Sequence, residues 1–213
     1  EKIKAAGKQS KGLKKKIAMW AKNKGALMAK AKQYKSKSPR PGCYGCANKL
    51  VFSKVKGMLG LNKVKACFTG AAPIGRDVLD LFAALDVPIL ELFGQSESSG
   101  PATTNTPELW KIGTIGVPLD GTHMYIEPET KEIVYTGRHI FMGYLKMPEK
   151  TAETIDDRGY LHSGDQGSMD EHDFVRITGR IKELIITAGG ENIPPVLIED
   201  EIKAQCPAIS NVM

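Results

Sequence analysis

Between residues 64 and 93 the chain runs through an apolar stretch, a glycine turn, a helical apolar repeat and a second apolar stretch. Few folds accept that order. VKACF at 64–68 predicts a strand and TGAAP at 69–73 a turn. Residues 74–85 predict a helix, because Ile74, Val78, Leu81, Phe82 and Leu85 recur at helical spacing. Pro88 stops that helix, and ILELF at 89–93 predicts another strand. Strand, helix, strand points to an α/β layer with a mostly parallel sheet. Ligands of such sheets lie beyond the carboxyl ends of the strands. Both TGAAP and the loop GQSESSG at 94–100 fall there.

The flanks are read the same way. Residues 11–34 predict a basic amphipathic helix with Leu13, Ile17, Trp20 and Met28 as its apolar positions; Gly12 and Gly25 weaken it in isolation. Such a helix suits a membrane surface or a protein core, and packing on a domain is favoured. Pro39, Pro41 and Gly42 make 35–47 a loop, and 49–59 predicts a second helix. From 109 onward short strands alternate with glycine turns, at 112–115, 123–126, 132–135, 174–177 and 183–186. Short helices are expected at 149–155 and 196–204, the latter opened by Pro194 and Pro195. A chain of 213 residues allows one domain or two small ones. It opens on Glu1 rather than methionine, as a mature form, a truncated form or a piece of a longer chain would, and it is expected to stop inside a domain.

Charge is split along the chain. Residues 1–65 hold 19 basic residues against one acidic, a net +18, whereas 66–213 hold 11 against 23, a net −12. A basic half can attract nucleic acid, nucleotide phosphates, anionic lipid or an acidic partner, and a plain solvated basic surface fits it as well. It lacks the aromatic platforms of a single-strand binder and any zinc-finger or homeodomain pattern, so no specific nucleic acid is expected. No run of roughly 18 apolar residues exists to span a bilayer, and residues 1–20 lack the continuous apolar region of a signal peptide. Cys43 and Cys46 form a C-x-x-C pair, but only Cys67 lies nearby. A zinc site needs four ligands, and a redox pair should open a helix after a strand. Free thiols in a reducing compartment are the simpler reading, which places the protein in the cytoplasm. The lysines around Leu13, Ile17 and Trp20 are expected to assist peripheral contact with anionic intracellular membranes or acidic ligands.

Three constellations carry chemistry. In GQSESSG, Ser96, Ser98 and Ser99 offer hydroxyls and Glu97 a hard oxygen ligand. That suits Mg²⁺, which binds through one or two carboxylates plus substrate phosphates. The loop is neither a P-loop nor a nucleophile elbow, and an ordinary polar turn fits it as well. Asp165, in YLHSGD at 160–165, suits the two hydroxyls of a ribose or the cap of a turn. Arg180, in ITGR at 177–180, suits a phosphate or carboxylate oxygen or a surface position. Lys182 and Glu183 precede an apolar run and then Gly189 and Gly190, which allow close approach to a ligand or close a plain hairpin.

TGAAP at 69–73, LFGQSESSG at 92–100, YLHSGD at 160–165 and ITGRIKELIITAGGENI at 177–193, in this order and spacing, resemble the adenylate-forming superfamily. SESSGP at 96–101, GRHIFMGYL at 137–145 and GGENIPP at 189–195 are similar to its bubblegum group of long-chain fatty acyl-CoA synthetases. The likeness is clear over 64–213 and looser over 1–63. It implies an α/β fold: part of the family's N-terminal domain, with mixed sheets, plus the start of a small C-terminal α+β lid domain. Residues 1–63 would be a basic helical segment of the N-terminal domain, 64–181 its nucleotide-binding remainder, and 182–213 the hinge and the start of the lid. It further implies that Gly70, Ala71 and Ala72 line an adenine pocket and that Phe93 stacks near the adenine. Ser96 would contact phosphate, Glu97 would help hold Mg²⁺, and Asp165 and Arg180 would hold the ribose. Lys182 would be the hinge, and Gly189 and Gly190 would belong to the lid loop of the thioester step.

The implied substrates are ATP, a long-chain fatty acid and coenzyme A, with Mg²⁺ as cofactor. The implied reaction passes through an acyl-adenylate and releases pyrophosphate and AMP. Another carboxylate-adenylating ligase and an inactive scaffold homologue are the alternatives. Two family elements, an upstream Ser/Thr/Gly-rich phosphate loop and a C-terminal lysine, are not among these 213 residues, so the piece by itself is expected to be inactive. Lys131 stands where the family often has glycine.

Overall fold

A computed structural model describes residues 12–72, 74–183, 185–186, 192–193, 195–206 and 209. The chain divides into two compact units: Glu1–Leu90 with Thr106–Gly113, and Glu91–Asn105 with Thr114–Met213.

The first unit is built on helices. The long helix α1 (Gly12–Lys32) buries Ala21, Gly25, Met28 and Ala29. Its packing face is thus three small residues plus Met28; of the expected apolar positions Met28 is buried, Trp20 is half-buried, and Leu13 and Ile17 are exposed. Gly25, a liability in an isolated helix, is required here: a Cβ would sit 2.1 Å from the Ala84 carbonyl oxygen and 2.9 Å from the Phe52 ring. Close approach of α1 to α4 (Arg76–Ala84) offsets the roughly 0.5–1 kcal/mol that glycine costs inside a helix. The expected loop is shorter than 35–47. It ends at Cys43, whose φ is 57°, and the one-turn helix α2 (Tyr44–Ala47) continues through a π-turn (Asn48–Phe52) into α3 (Ser53–Met58). Ala29, Ala83, Leu90, Trp110 and Ile112 form one core, and Ala21, Ala47 and Phe52 a second. The cysteines are unbridged. Among the described residues no cluster of three or more potential metal ligands occurs, and no helix is long and apolar enough to cross a membrane.

One sheet has the order β1-β2-β3-β4: Cys67–Thr69, Ile89–Gln95, Gly100–Thr104 and Val117–Pro118. The expected strand, helix and strand are present as β1, α4 and β2, with β1 beside β2, but the sheet is not mostly parallel, because β2–β3 and β3–β4 both pair antiparallel. The reason is length: only 96–99 separate β2 from β3, whereas a parallel crossover needs about a dozen residues. The pairing shifts between Phe93 and Gly94. A Cβ at Gly94 would lie 1.9 Å from the Gly100 carbonyl oxygen, so only glycine admits this return. The strand expected at 112–115 is also absent; the chain turns there at Gly113 and Gly116, with φ of 73° and 83°.

The second sheet, in the second unit, is a four-stranded antiparallel meander. Its strands are β5 (His123–Ile126), β6 (Glu132–Thr136), β7 (Leu161–Met169) and β8 (Val175–Arg180). Helix α5 (Pro148–Thr154) precedes β7. Phe93, Ala102, Ile115, Ile133, Tyr135, Leu161 and Val175 form the core of the unit. YLHSGD and ITGR, expected to contain turns, lie largely within paired strands: the ladder absorbs Gly164 (φ 73°) and a shift between Gln166 and Gly167, and still opposes Asp165 to Arg180. Beyond β8 come a 3₁₀ turn (Ile181–Glu183), the paired strands β9 (Ile185–Ile186) and β10 (Asn192–Ile193), and α6 (Pro195–Gln205).

Candidate active site

The end of β2 is stapled by its own turn. Ser98, 1% exposed, lies in the 3₁₀ turn Ser96–Ser98. Its Oγ accepts the Gln95 N–H at 3.0 Å and sits 2.8 Å from the Gly100 carbonyl. That leaves Ser96 and Ser99 exposed and Glu97 half-buried. Glu97 is held twice by the segment after β6: its carbonyl accepts the Phe141 N–H at 2.8 Å and its Oε1 accepts the Tyr144 hydroxyl at 2.6 Å. The bond to Glu97 pushes the Tyr144 hydroxyl above its ordinary range, so Tyr144 is a neutral donor. One oriented carboxylate beside free hydroxyls fits Mg²⁺ in one respect. The described residues offer no all-protein cage, and Mg²⁺ ordinarily completes its shell with phosphate oxygens and water.

Asp165 faces the same turn from β7. Its side chain is 7% exposed, and Oδ1 accepts from Arg180 Nε at 3.1 Å, whereas the Arg180 side chain is 62% exposed. Gln95 Nε2 donates to the Ser163 carbonyl at 2.8 Å and lies 3.5 Å from Asp165 Oδ2, and Gln95 Oε1 accepts the Tyr135 hydroxyl at 3.2 Å. Burial pushes the Asp165 carboxyl up; Arg180 opposes this, Glu183 and Glu132 add to it, and the net direction is upward. Burial likewise pushes Tyr135 up to about 12, with the Ser98 hydroxyl opposing and Glu97 and Asp165 adding. An exposed guanidinium is a weak counter-ion, because solvent screens it. Asp165 is thus a buried carboxylate only partly compensated by its surroundings, a common condition of binding and catalytic groups.

The other predicted residues fall as follows. Phe93 is 7% exposed, inside the core, with its ring edge-to-face against Tyr135 at 6.2 Å. Gly70, Ala71 and Ala72 form an exposed loop after β1, in the first unit, and Ala71 has a φ of 66°. Lys182 lies in the 3₁₀ turn after β8. Gly189 and Gly190 are outside the described residues. Gln95, Tyr135 and Tyr144 carry no role in the sequence reading, although Gln95 and Tyr144 sit inside motifs it singles out. Their partners are 40 to 70 residues away along the chain, beyond any local pattern.

Residues 15–145 match the family described as AMP-binding enzyme. The chain belongs to this family. Across its whole length it is 51% identical to the long-chain-fatty-acid–CoA ligase ACSBG2 of Xenopus laevis, covering 29% of that protein. It is 44% identical to the human ACSBG2 ligase and 38% identical to the human ACSBG1 ligase, again over 100% of the chain and over 32% and 30% of those proteins. The chain therefore spans about a third or less of the length of these relatives. Among solved structures, ATP-bound MatB from Rhodopseudomonas palustris superposes with a TM-score of 0.60 at 34% identity, over 66% of this chain and 30% of that one. The O-succinylbenzoate coenzyme A synthetase MenE of Bacillus subtilis, in complex with ATP and magnesium ion, gives 0.60 at 24% identity, over 76% of this chain and 36% of that one. The latter likeness concerns the fold alone. The mixed α/β class and the bubblegum-group resemblance expected from the motifs both hold.

Proposed function

We propose that this chain is the nucleotide-binding part of an ATP-dependent long-chain fatty acid–CoA ligase. The observation that carries the proposal is Asp165, a buried carboxylate whose Oδ2 meets only the long Gln95 contact among the described residues. That oxygen is an open acceptor at the side of the glycine-serine turn, suited to a ribose hydroxyl. The AMP-binding family match and the names of the relatives support the nucleotide and the substrates.

In this reading the fatty carboxylate oxygen attacks the α-phosphorus of ATP and pyrophosphate leaves. The coenzyme A thiol sulfur then attacks the acyl carbon, and the bond to AMP breaks. The chain supplies no nucleophile. Asp165 and Arg180 orient the ribose and Ser96 donates to phosphate; the adenine roles of Gly70, Ala71, Ala72 and Phe93 rest on the family resemblance alone. Glu97, oriented by Tyr144, holds the Mg²⁺, which neutralises phosphate charge when bound. Lys182 marks the pivot by which a lid carrying Gly189 and Gly190 exchanges the two half-reactions. Rate enhancement comes from positioning and oriented charge.

The test is ATP–pyrophosphate exchange in the full-length ligase that carries this chain. A hydrogen bond to a charged group is worth about 1.5–3 kcal/mol, so Asp165→Ala is expected to lower exchange roughly tenfold to a hundredfold. Glu97→Ala is expected to raise the Mg²⁺ concentration that exchange requires. Wild-type exchange kinetics in both variants would refute the assignments.

A further inference from the structure

Glu132 is a buried carboxylate, 8% exposed, that no step of the proposed reaction uses. It opens β6, and both of its oxygens face β7: Oε1 accepts the Gly164 N–H at 2.7 Å and Oε2 lies 2.9 Å from His162 Nδ1. The residues before it grip the same strand. The Thr130 carbonyl accepts from Gln166 Nε2 at 2.7 Å, and the Lys131 carbonyl accepts the Gly167 N–H at 2.8 Å. Lys131 reaches this geometry with a φ of 58°, in the left-handed region that favours glycine. Glu132 and the turn before it thus touch β7 at 162, 164, 166 and 167, on both sides of Asp165.

The ladder alone defines this stretch poorly. Pairing of β7 with β6 shifts between Glu132 and Val134, pairing with β8 shifts between Gln166 and Gly167, and Gly164 between them has a φ of 73°. A bulged strand re-aims its side chains, so the direction of Asp165 depends on what pins the bulge. The amide immediately before Asp165, that of Gly164, donates to Glu132 Oε1 at 2.7 Å. We infer that Glu132 is a positioning residue for nucleotide recognition: by holding the Gly164 amide it aims the Asp165 carboxylate at the ribose hydroxyls. The inference rests on the ribose reading of Asp165 and adds to it the group that makes the contact selective.

The test compares ATP with 2′-deoxy-ATP in pyrophosphate exchange by the full-length ligase, for the wild type, Glu132→Ala, Glu132→Gln, Glu132→Asp and Asp165→Ala. Wild type is expected to prefer ATP by about tenfold, the order of one charge-assisted hydrogen bond. Glu132→Ala should raise the KM for ATP and bring the preference close to parity, with the KM for the fatty acid unchanged. Glu132→Gln retains an acceptor for the Gly164 N–H and should keep most of the preference. Glu132→Asp, one methylene shorter, should fall between, and it decides the matter if the alanine variant does not fold. A merely structural role would slow both nucleotides equally and leave their ratio at the wild-type value; that result, with Asp165→Ala losing the preference, overturns the inference. If Asp165→Ala also keeps the preference, or wild type shows none, the ribose reading itself has failed.

Discussion

Asp86 in the first unit is half-buried and Asp165 in the second is buried, each beside basic partners, and the two are treated in opposite ways. Asp86, in the first unit, is bonded by Lys56 at 2.5 Å and Lys32 at 3.3 Å, and its side chain is 16% exposed. Burial pushes its carboxyl up, but the bond from Lys56, the nearby Tyr44 hydroxyl and the charges of both lysines outweigh it, so the net shift is downward. Asp165, in the second unit, has Arg180 alone as a basic partner among its described contacts, that side chain is mostly in solvent, and the net shift is upward. A carboxylate whose partners exceed its desolvation ties elements together, here α1 and α3 to the end of α4. One whose partners fall short costs stability, and a chain retains it when a ligand completes the shell.

The largest effect that separates the two sites is on stability. Asp86→Ala leaves Lys56 half-buried without its partner; Lys32, 48% exposed, is screened and adds little. A loss of about 1–3 kcal/mol is expected, read as a lower denaturation midpoint, with pyrophosphate exchange per folded molecule unchanged in the full-length ligase. Loss of exchange at constant stability would erase the contrast. A smaller effect is expected for Tyr135→Phe, which removes the hydroxyl that fixes Gln95 and keeps the buried ring. About 1 kcal/mol of stability should go with that bond, together with a severalfold rise in the KM for ATP. An unchanged KM would show that the Gln95 amide holds its place without Tyr135.

Local periodicity was enough for much of the scaffold. The strand at 123–126 has the expected bounds, and the helices at 12–32, 76–84, 148–154 and 195–205 differ from expectation by a few residues. The antiparallel return after β2 was hidden because glycine at 94 reads as a turn residue, whereas its function is to let the strand pass the Gly100 carbonyl. The buried face of α1 was legible at Met28 but hidden elsewhere for a related reason: close helix packing selects alanine and glycine, which carry little apolar signal, and leaves Leu13 and Ile17 exposed. At the site, Asp165 and Arg180 stood in motifs, and the structure brings them to 3.1 Å. Glu132, Gln95 and Tyr135 did not stand out, since each is defined by a hydrogen bond that exists only once β2, β6 and β7 are assembled.

The most direct measurement is thermal melting of the full-length ligase and its Asp165→Asn variant as a function of pH, without nucleotide. A carboxyl whose folded pKa is raised favours the folded state only while protonated, so wild-type stability falls as pH rises from below the ordinary carboxylate range through the folded value. Asparagine has the same shape and no charge to desolvate. The two proteins should therefore melt alike at low pH, and the variant should melt higher at pH 7 while having lost ATP–pyrophosphate exchange. A variant that melts lower than wild type at pH 7 would make Asp165 a structural tie of the same kind as Asp86, and would contradict its role as a site held open for the nucleotide.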